Sequence, residues 1–131
     1  MLDIKKVDII VPCYNEEDVL ELFHNETQKV LETIVGYDFR YIFVDDGSKD
    51  RTLDIMKTLA NNFDNVKYLS FSRNFGKESA MYAGLKFSSG DLVAIIDADL
   101  QHPPSMIPDM LKELENGYDS CAASRISRTG E

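Results

Sequence analysis

Apolar residues follow two rhythms along this chain. Short runs read as strands: VDIIVP at 7–12, FRYIFVDD at 39–46, VKYLSFS at 66–72, DLVAIID at 91–97 and DSCAASR at 119–125. Between them the apolar positions return every three or four residues, the spacing of a helix. Val19, Leu20, Phe23, Val30, Leu31 and Ile34 mark a helix within 16–35, which Gly36 is placed to stop. Leu53, Met56, Leu59, Ala60 and Phe63 stripe a second helix, with Ser48 or Asp50 as its expected N-cap. Residues 77–87 form a third helix, stopped by SSG at 88–90. A fourth begins at Pro103 and Pro104, since proline is tolerated in a first turn, and runs to Asn116 before Gly117.

Strand and helix alternating in this way predict an α/β domain of Rossmann-like outline. Its sheet is mainly parallel and has helices on both faces. The apolar runs suit strands buried on both sides. In open sheets of this kind ligands bind beyond the carboxyl ends of the strands. The polar residues that could carry chemistry lie there: Pro12, Tyr14, Asn15 and Glu16; Asp45, Asp46, Gly47 and Ser48; Arg73, Asn74, Gly76 and Lys77; Asp97, Asp99, Gln101 and His102; Arg125 and Arg128. Five distant segments are thereby expected to meet on one rim.

With 131 residues the chain has room for one domain, and its 44% hydrophobic and 28% charged content is ordinary for a globular protein. The net charge of -9 argues against general nucleic-acid binding and suits a site that a cation neutralises. Cys13 and Cys121 belong to no CxxC pair and read as reduced, buried thiols of a cytoplasmic protein. The N-terminus MLDIKKVDIIVP is too short and too charged for a signal peptide, and no apolar run approaches a membrane span of roughly 20 residues.

Asp97 and Asp99 would leave a strand on the same face if the strand conformation persisted that far. Like charges so placed repel, and a divalent cation resolves the conflict. Their hard oxygens, with the Gln101 amide oxygen as a third donor, suit Mg²⁺ or Mn²⁺. A bare DxD also arises by chance, as a pair of helix caps. Asp45 and Asp46 could accept hydrogen bonds from a ribose or a base, whereas DDGS is equally good turn chemistry. Tyr14 could stack on a base and Glu16 could bind a sugar hydroxyl. Arg73, Lys77 and Arg125 could hold phosphates, or each could be a solvated surface charge. With no His/Cys cluster for zinc, His102 is read as orienting substrate, and His24 as a surface residue. GxGxxG, GxxxxGK[ST] and GxSxG are all absent, so phosphate binding falls to metal and basic side chains.

Five segments in order, VPCYNEE (11–17), FVDDGSKDRT (43–52), SRNFGKESAMYAG (72–84), DADLQHPP (97–104) and ASRISRTGE (123–131), resemble glycosyltransferase family 2, which has the GT-A fold. Within that family they look most like polyprenyl-phosphate glycosyltransferases, the dolichyl-phosphate mannose synthases and bactoprenol glucosyltransferases. The resemblance implies that Pro12, Tyr14, Asn15 and Glu16 contact the donor nucleoside, and that Asp46, with Asp45, reads the base. It further implies that Arg73 and Lys77 line the donor pocket and that the Asp97-Ala98-Asp99 triplet with Gln101 forms the metal and diphosphate site. Asp99 and Arg125 would lie nearest the chemistry.

The implied reaction is an inverting transfer of a hexose from a nucleotide-diphosphate sugar to a polyprenyl phosphate, helped by Mg²⁺ or Mn²⁺. UDP-glucose is the leading donor and GDP-mannose the next. Family members continue with acceptor-side and transmembrane segments. Residues 1–131 are therefore expected to be the donor half of a truncated domain, soluble by itself, from a parent attached to the cytoplasmic face of the membrane. Two other readings stay open: a family 2 enzyme acting on a saccharide hydroxyl in capsule or O-antigen assembly, and a nucleotide-binding module without turnover.

Overall fold

The structure of the protein, a computed structural model, describes residues 4–101, 103–115 and 120–122. Five parallel strands, β1 (Lys5–Cys13), β2 (Tyr37–Asp45), β3 (Val66–Ser70), β4 (Leu92–Ile95) and β5 (Ser120–Ala122), form one sheet in the order β3-β2-β1-β4-β5. Four helices connect them: α1 (Leu20–Leu31), α2 (Thr52–Asn62), α3 (Lys77–Phe87) and α4 (Ile107–Glu115), the last preceded by a 3₁₀ turn at Pro104–Met106.

Alternate residues of the central strands feed two cores. Val7, Ile9 and Val11 of β1, with Phe39, Tyr41 and Phe43 of β2, pack beneath α1, α2 and α4 through Leu20, Phe23, Met56, Leu59, Met110 and Leu111. Ile10, Ile42, Val44 and Ile95 face the other side, where Ala80 of α3 covers them. This two-sided burial is why β1 and β2 read as near-continuous apolar runs. Phe23 meets Phe43 edge-on at 6.4 Å, and Tyr41 stacks on Phe43 at 5.6 Å.

The small residues of α3 let it lie close to the sheet. A Cβ at Gly84 would come within 2.5 Å of Ile10 Cγ2, so only glycine admits this approach. The turn after α3 is fastened from β1. The buried Asp8 carboxylate accepts hydrogen bonds from Arg40 Nε and Nη2, Ser88 Oγ and the amides of Ser89 and Gly90. This knot lies at the amino ends of the strands, away from the rim that carries the polar motifs.

Several sequence expectations shift. The first helix begins at Leu20 instead of 16, because Glu16–Val19 turn toward the second loop first. The N-cap position of α2 is Arg51, without a side-chain cap, so neither Ser48 nor Asp50 occupies it; Asp50, one residue earlier, accepts through Oδ1 from the amide of Thr52, the first residue of the helix. The fourth strand ends at Ile95, so Asp97 and Asp99 leave from a turn and not from a strand. Pro12 does not end β1, which reaches Cys13. The reason is directional. Ile10 faces β4, its carbonyl accepting from Ile96 N, and Pro12 has the same parity, beyond the end of β4. The missing N–H removes no ladder bond there.

His24 departs most from expectation. It is buried against Tyr41 at 4.9 Å and Phe63 at 4.5 Å, and neither ring nitrogen has a partner among the described residues. Its single sequence position did not reveal that the α1 stripe extends to it. Of the two cysteines Cys13 is buried and free; the Cys121 side chain lies outside the described residues, as do His102, Asn116, Gly117, Arg125 and Arg128.

Burial holds the His24 imidazole below its ordinary value of 6.5. The unfolded chain therefore binds a proton there first, and the protein loses stability as pH falls below about 6.5. Chemical denaturation from pH 8 to 5 should show this loss, at most about 1.4 kcal/mol per pH unit, and His24→Met should flatten that part of the profile. An equal slope in both proteins would assign the acid sensitivity elsewhere.

Candidate functional site

β1 has neighbours on both sides, and the connections leave it in opposite directions. Beyond Ile10 and Ile95 the two central strands no longer pair, and a cleft opens between the segments that follow them. Such a switch point is where open α/β sheets bind ligands. The cleft measures about 180 Å³ and is lined by Pro12, Cys13, Tyr14, Glu16, Asp46, Lys77, Ala80, Asp97 and Asp99. That volume is below the roughly 300–1,000 Å³ of whole small-molecule sites. It fits the charged centre of a larger ligand whose ends lie over the open rim.

Two loops build the floor. Asn15, at φ 53°, turns the chain after β1, and its Oδ1 accepts from the Lys49 amide at 2.8 Å. In return the Asn15 amide donates to Ser48 Oγ at 2.8 Å and the Glu16 amide to Thr52 Oγ1 at 2.8 Å. Glu17 Oε1 accepts from the Arg51 amide at 3.0 Å. The segment after β1 and the segment after β2 are therefore tied together, with Tyr14 left 41% exposed at the edge.

Asp46 joins the third wall. Its Oδ1 accepts from the Phe75 amide at 2.8 Å, and its Oδ2 from Gly76 N at 3.1 Å and Asn74 Nδ2 at 3.1 Å. Asp46 is 3% exposed. Its carboxylate thus holds the turn that launches α3, and so fixes Lys77, the first helical residue. Gly47, at φ 70°, makes the close passage possible: a Cβ there would meet Arg73 C at 2.2 Å. Asp45 turns away from the cleft, its carboxylate accepting from Ser48 N and Ser70 Oγ.

The fourth wall carries the charge. Asp97 is half-buried and Asp99 exposed, while Ala98 between them is fully buried in the core. Burying that methyl aims the two flanking carboxylates outward into the one cleft. Leu100 follows at φ 62°, a left-handed conformation rare for leucine, which packs its side chain back against the core. Asp99 Oδ1 accepts from the Gln101 amide at 3.1 Å. Lys77 Nζ lies 2.7 Å from Asp97 Oδ1. Glu16 completes the acid group. Burial, then the charges of Asp99, Asp97 and Asp50, push its carboxyl above the usual 4.5. Burial and the neighbouring Glu16, Asp45 and Asp97 likewise raise the Cys13 thiol, which stays protonated and unreactive.

The structure thus brings Pro12, Tyr14, Glu16, Asp46, Lys77, Asp97 and Asp99 together. Asn15 and Asp45 support the loops behind them. Arg73 lies outside the cleft, its guanidinium 4.7 Å over the exposed Phe75 ring. Gln101 is exposed and does not line it. Among the described residues, no three Asp, Glu, His or Cys side chains stand at metal-binding spacing; the carboxylates of Glu16, Asp46, Asp97 and Asp99 line the cleft without that spacing. Sequence reasoning missed Cys13 and Ala80. Ala80 follows Lys77 by three, the helical spacing that places it on the same face.

This sheet order, with an acid-rich cleft at its switch point, is the arrangement of a GT-A glycosyltransferase. The chain belongs to glycosyltransferase family 2, whose sequence profile it matches over residues 8–131. It is 44% identical over 125 residues to a putative glycosyltransferase, CsbB, of Bacillus subtilis, covering 95% of this chain and 37% of that one. It is 40% identical over 124 residues to the bactoprenol glucosyl transferase of Shigella phage SfX, covering 95% of this chain and 40% of that one. The chain therefore spans about two-fifths of the length of these relatives.

Among solved structures, S. aureus TarS residues 1–349 in complex with UDP-GlcNAc superposes with a TM-score of 0.66 at 27% identity, over 85% of this chain and 31% of that one. The mannosyltransferase PcManGT from Pyrobaculum calidifontis, in complex with GDP-Man and Mn²⁺, shares the fold with a TM-score of 0.70 at 23% identity, over 87% of this chain and 34% of that one. Among the described residues no helix is long and apolar enough to cross a membrane.

Asp46→Ala should cost about 3 kcal/mol, since three donors at Asn74–Gly76 lose a buried, charged acceptor. Urea denaturation checks this; a loss below about 1 kcal/mol would mean that the turn holds itself.

Proposed function

We propose that residues 1–131 are the donor-binding half of an enzyme that moves a hexose, glucose from UDP-glucose, onto a polyprenyl phosphate. The observation that carries the reading is the convergence of Glu16, Asp97, Asp99 and Lys77, from three separate strand ends, on one cleft. A sugar nucleotide has a planar base, a ribose and a diphosphate in line. The exposed Tyr14 ring and the Asp97–Asp99 pair offer partners for its two ends. The likeness to bactoprenol glucosyl transferases supports the acceptor class and the glucose, and the UDP-GlcNAc held by TarS supports a uridine nucleotide.

The residues fit a divalent cation, Mg²⁺ or Mn²⁺. Asp97 and Asp99 supply hard oxygen donors on a shared rim, and the acids there outnumber the one ammonium that lines it. When bound, such an ion supplies positive charge for the leaving diphosphate. The chain's own groups do the rest. Tyr14 orients the nucleoside, Lys77 adds a second positive charge, and the Asp46-held turn keeps that lysine in place. Arg125, outside the described residues, is assigned to the phosphates on the family resemblance.

The acceptor oxygen belongs to a phosphate that is already anionic near neutral pH, its second pKa being about 6. No side chain has to remove a proton from it. Its attack forms the anomeric carbon–oxygen bond as the bond to the nucleoside diphosphate breaks, so a single displacement inverts the configuration. The parent would work at the cytoplasmic face of a membrane, held there by segments beyond residue 131.

Calorimetry with UDP and with GDP, each with and without Mn²⁺, tests the reading. Metal-dependent binding of a nucleotide is the expected result, UDP before GDP; binding of neither would leave a fold without its donor site. Asp99→Asn should weaken metal-dependent UDP binding at least tenfold while the thermal midpoint stays within a few degrees, because Asp99 is exposed and only one described amide leans on it. Undiminished UDP and Mn²⁺ binding by that variant would remove Asp99 from the ligand set.

A further inference from the structure

Lys77 is the only cation among the described residues that line the cleft, and it sits on the carboxylate that the proposed function assigns to a metal. Its Nζ is 2.7 Å from Asp97 Oδ1, the lysine side chain 53% exposed and the aspartate 19%. The backbone beneath it is fixed. The Phe75 and Gly76 amides are both bound by the buried Asp46 carboxylate, and Gly76, at φ 106°, is the N-cap residue of α3. A rigid base and a long exposed stem let the ammonium swing while its Cα stays still. A divalent ion bringing its own charge to Asp97 meets that ammonium as a like charge at contact distance, so the two compete for one carboxylate.

We propose that Lys77 is a displaceable counter-ion: it neutralises Asp97 in the empty cleft, yields that carboxylate to the divalent ion, and turns to the donor's diphosphate. The proposal rests on reading the cleft as a sugar-nucleotide site and adds an order to it. The metal alone binds weakly because it must evict Lys77. Metal and diphosphate bind cooperatively because the diphosphate gives the evicted ammonium a new partner. The arrangement also keeps an acid-rich cleft from holding bare divalent ions when no donor is present, which a pair of unpaired aspartates beside Glu16 would do.

The test uses the 131-residue chain with Mn²⁺ alone, followed by the free-ion resonance signal, and then UDP at saturating Mn²⁺ by calorimetry. Lys77→Met removes the charge at an exposed helical position and keeps the stem. It should bind Mn²⁺ alone about two- to fivefold more tightly, the range of a partly exposed ion pair, and UDP with Mn²⁺ more weakly than the parent. Lys77→Arg, which keeps a cation, should leave the affinity for Mn²⁺ alone low. Unchanged or weaker Mn²⁺ binding by Lys77→Met, with the parent binding both ligands, overturns the counter-ion role and leaves the donor site standing. Tighter Mn²⁺ with undiminished UDP overturns the swing to the diphosphate. A parent chain that binds neither Mn²⁺ nor UDP overturns the donor-site reading, and this proposal with it.

Discussion

Four carboxylates and one ammonium line the gap where β1 and β4 part, and that imbalance of charge governs the rest of the site. Glu16, Asp97 and Asp99 come from two different strand ends, and the upward push on the Glu16 carboxyl records their mutual repulsion as well as its burial. A fold tolerates such a cluster when something outside the chain relieves it. The sheet order creates the gap, since strands on the two sides of β1 connect in opposite directions. The acids at its edges make the gap negative, the charge that the proposed metal and diphosphate site would use.

Other carboxylates in the protein do opposite work. Asp8 and Asp46 are buried, and each receives several donors from a loop distant in sequence. Asp8 fastens the end of α3 and Asp46 its beginning, so one helix is pinned at both tips by acids from β1 and the loop after β2. Burial alone would raise the Asp8 carboxyl, but Arg40, Ser88 and the two amides outweigh it and hold the group below its usual value. The high acid content is thus divided between charges that satisfy amides inside the fold and charges gathered at the rim of the cleft.

Much of the fold was legible because its signals are local. Five apolar runs at strand length and four helical stripes gave the element order, and parallel pairing follows from alternation. The errors came where a second element decides the outcome. Pro12 reads as a strand end, yet it is tolerated because β4 stops first. His24 reads as a surface residue, yet Tyr41 and Phe63, from other parts of the chain, enclose it. DDGS was legible as a turn and as a ligand-reading motif; contact with Asn74–Gly76 gives Asp46 a structural task that no local pattern announces.

The amino-acid order by itself determined which segments become strands and helices, that polar residues gather after the strands, and that Asp97 and Asp99 flank a small apolar residue. Periodicity and residue type act over a few positions, so they survive in one dimension. Only the tertiary structure decided which of those polar residues share a cleft. It turned Arg73 and Asp45 away, brought Ala80 and Cys13 in, and set Lys77 against Asp97. The physical reason is that the switch point lies between strands more than eighty residues apart in sequence, and charge interactions depend on distance through space, which spacing along the chain does not encode.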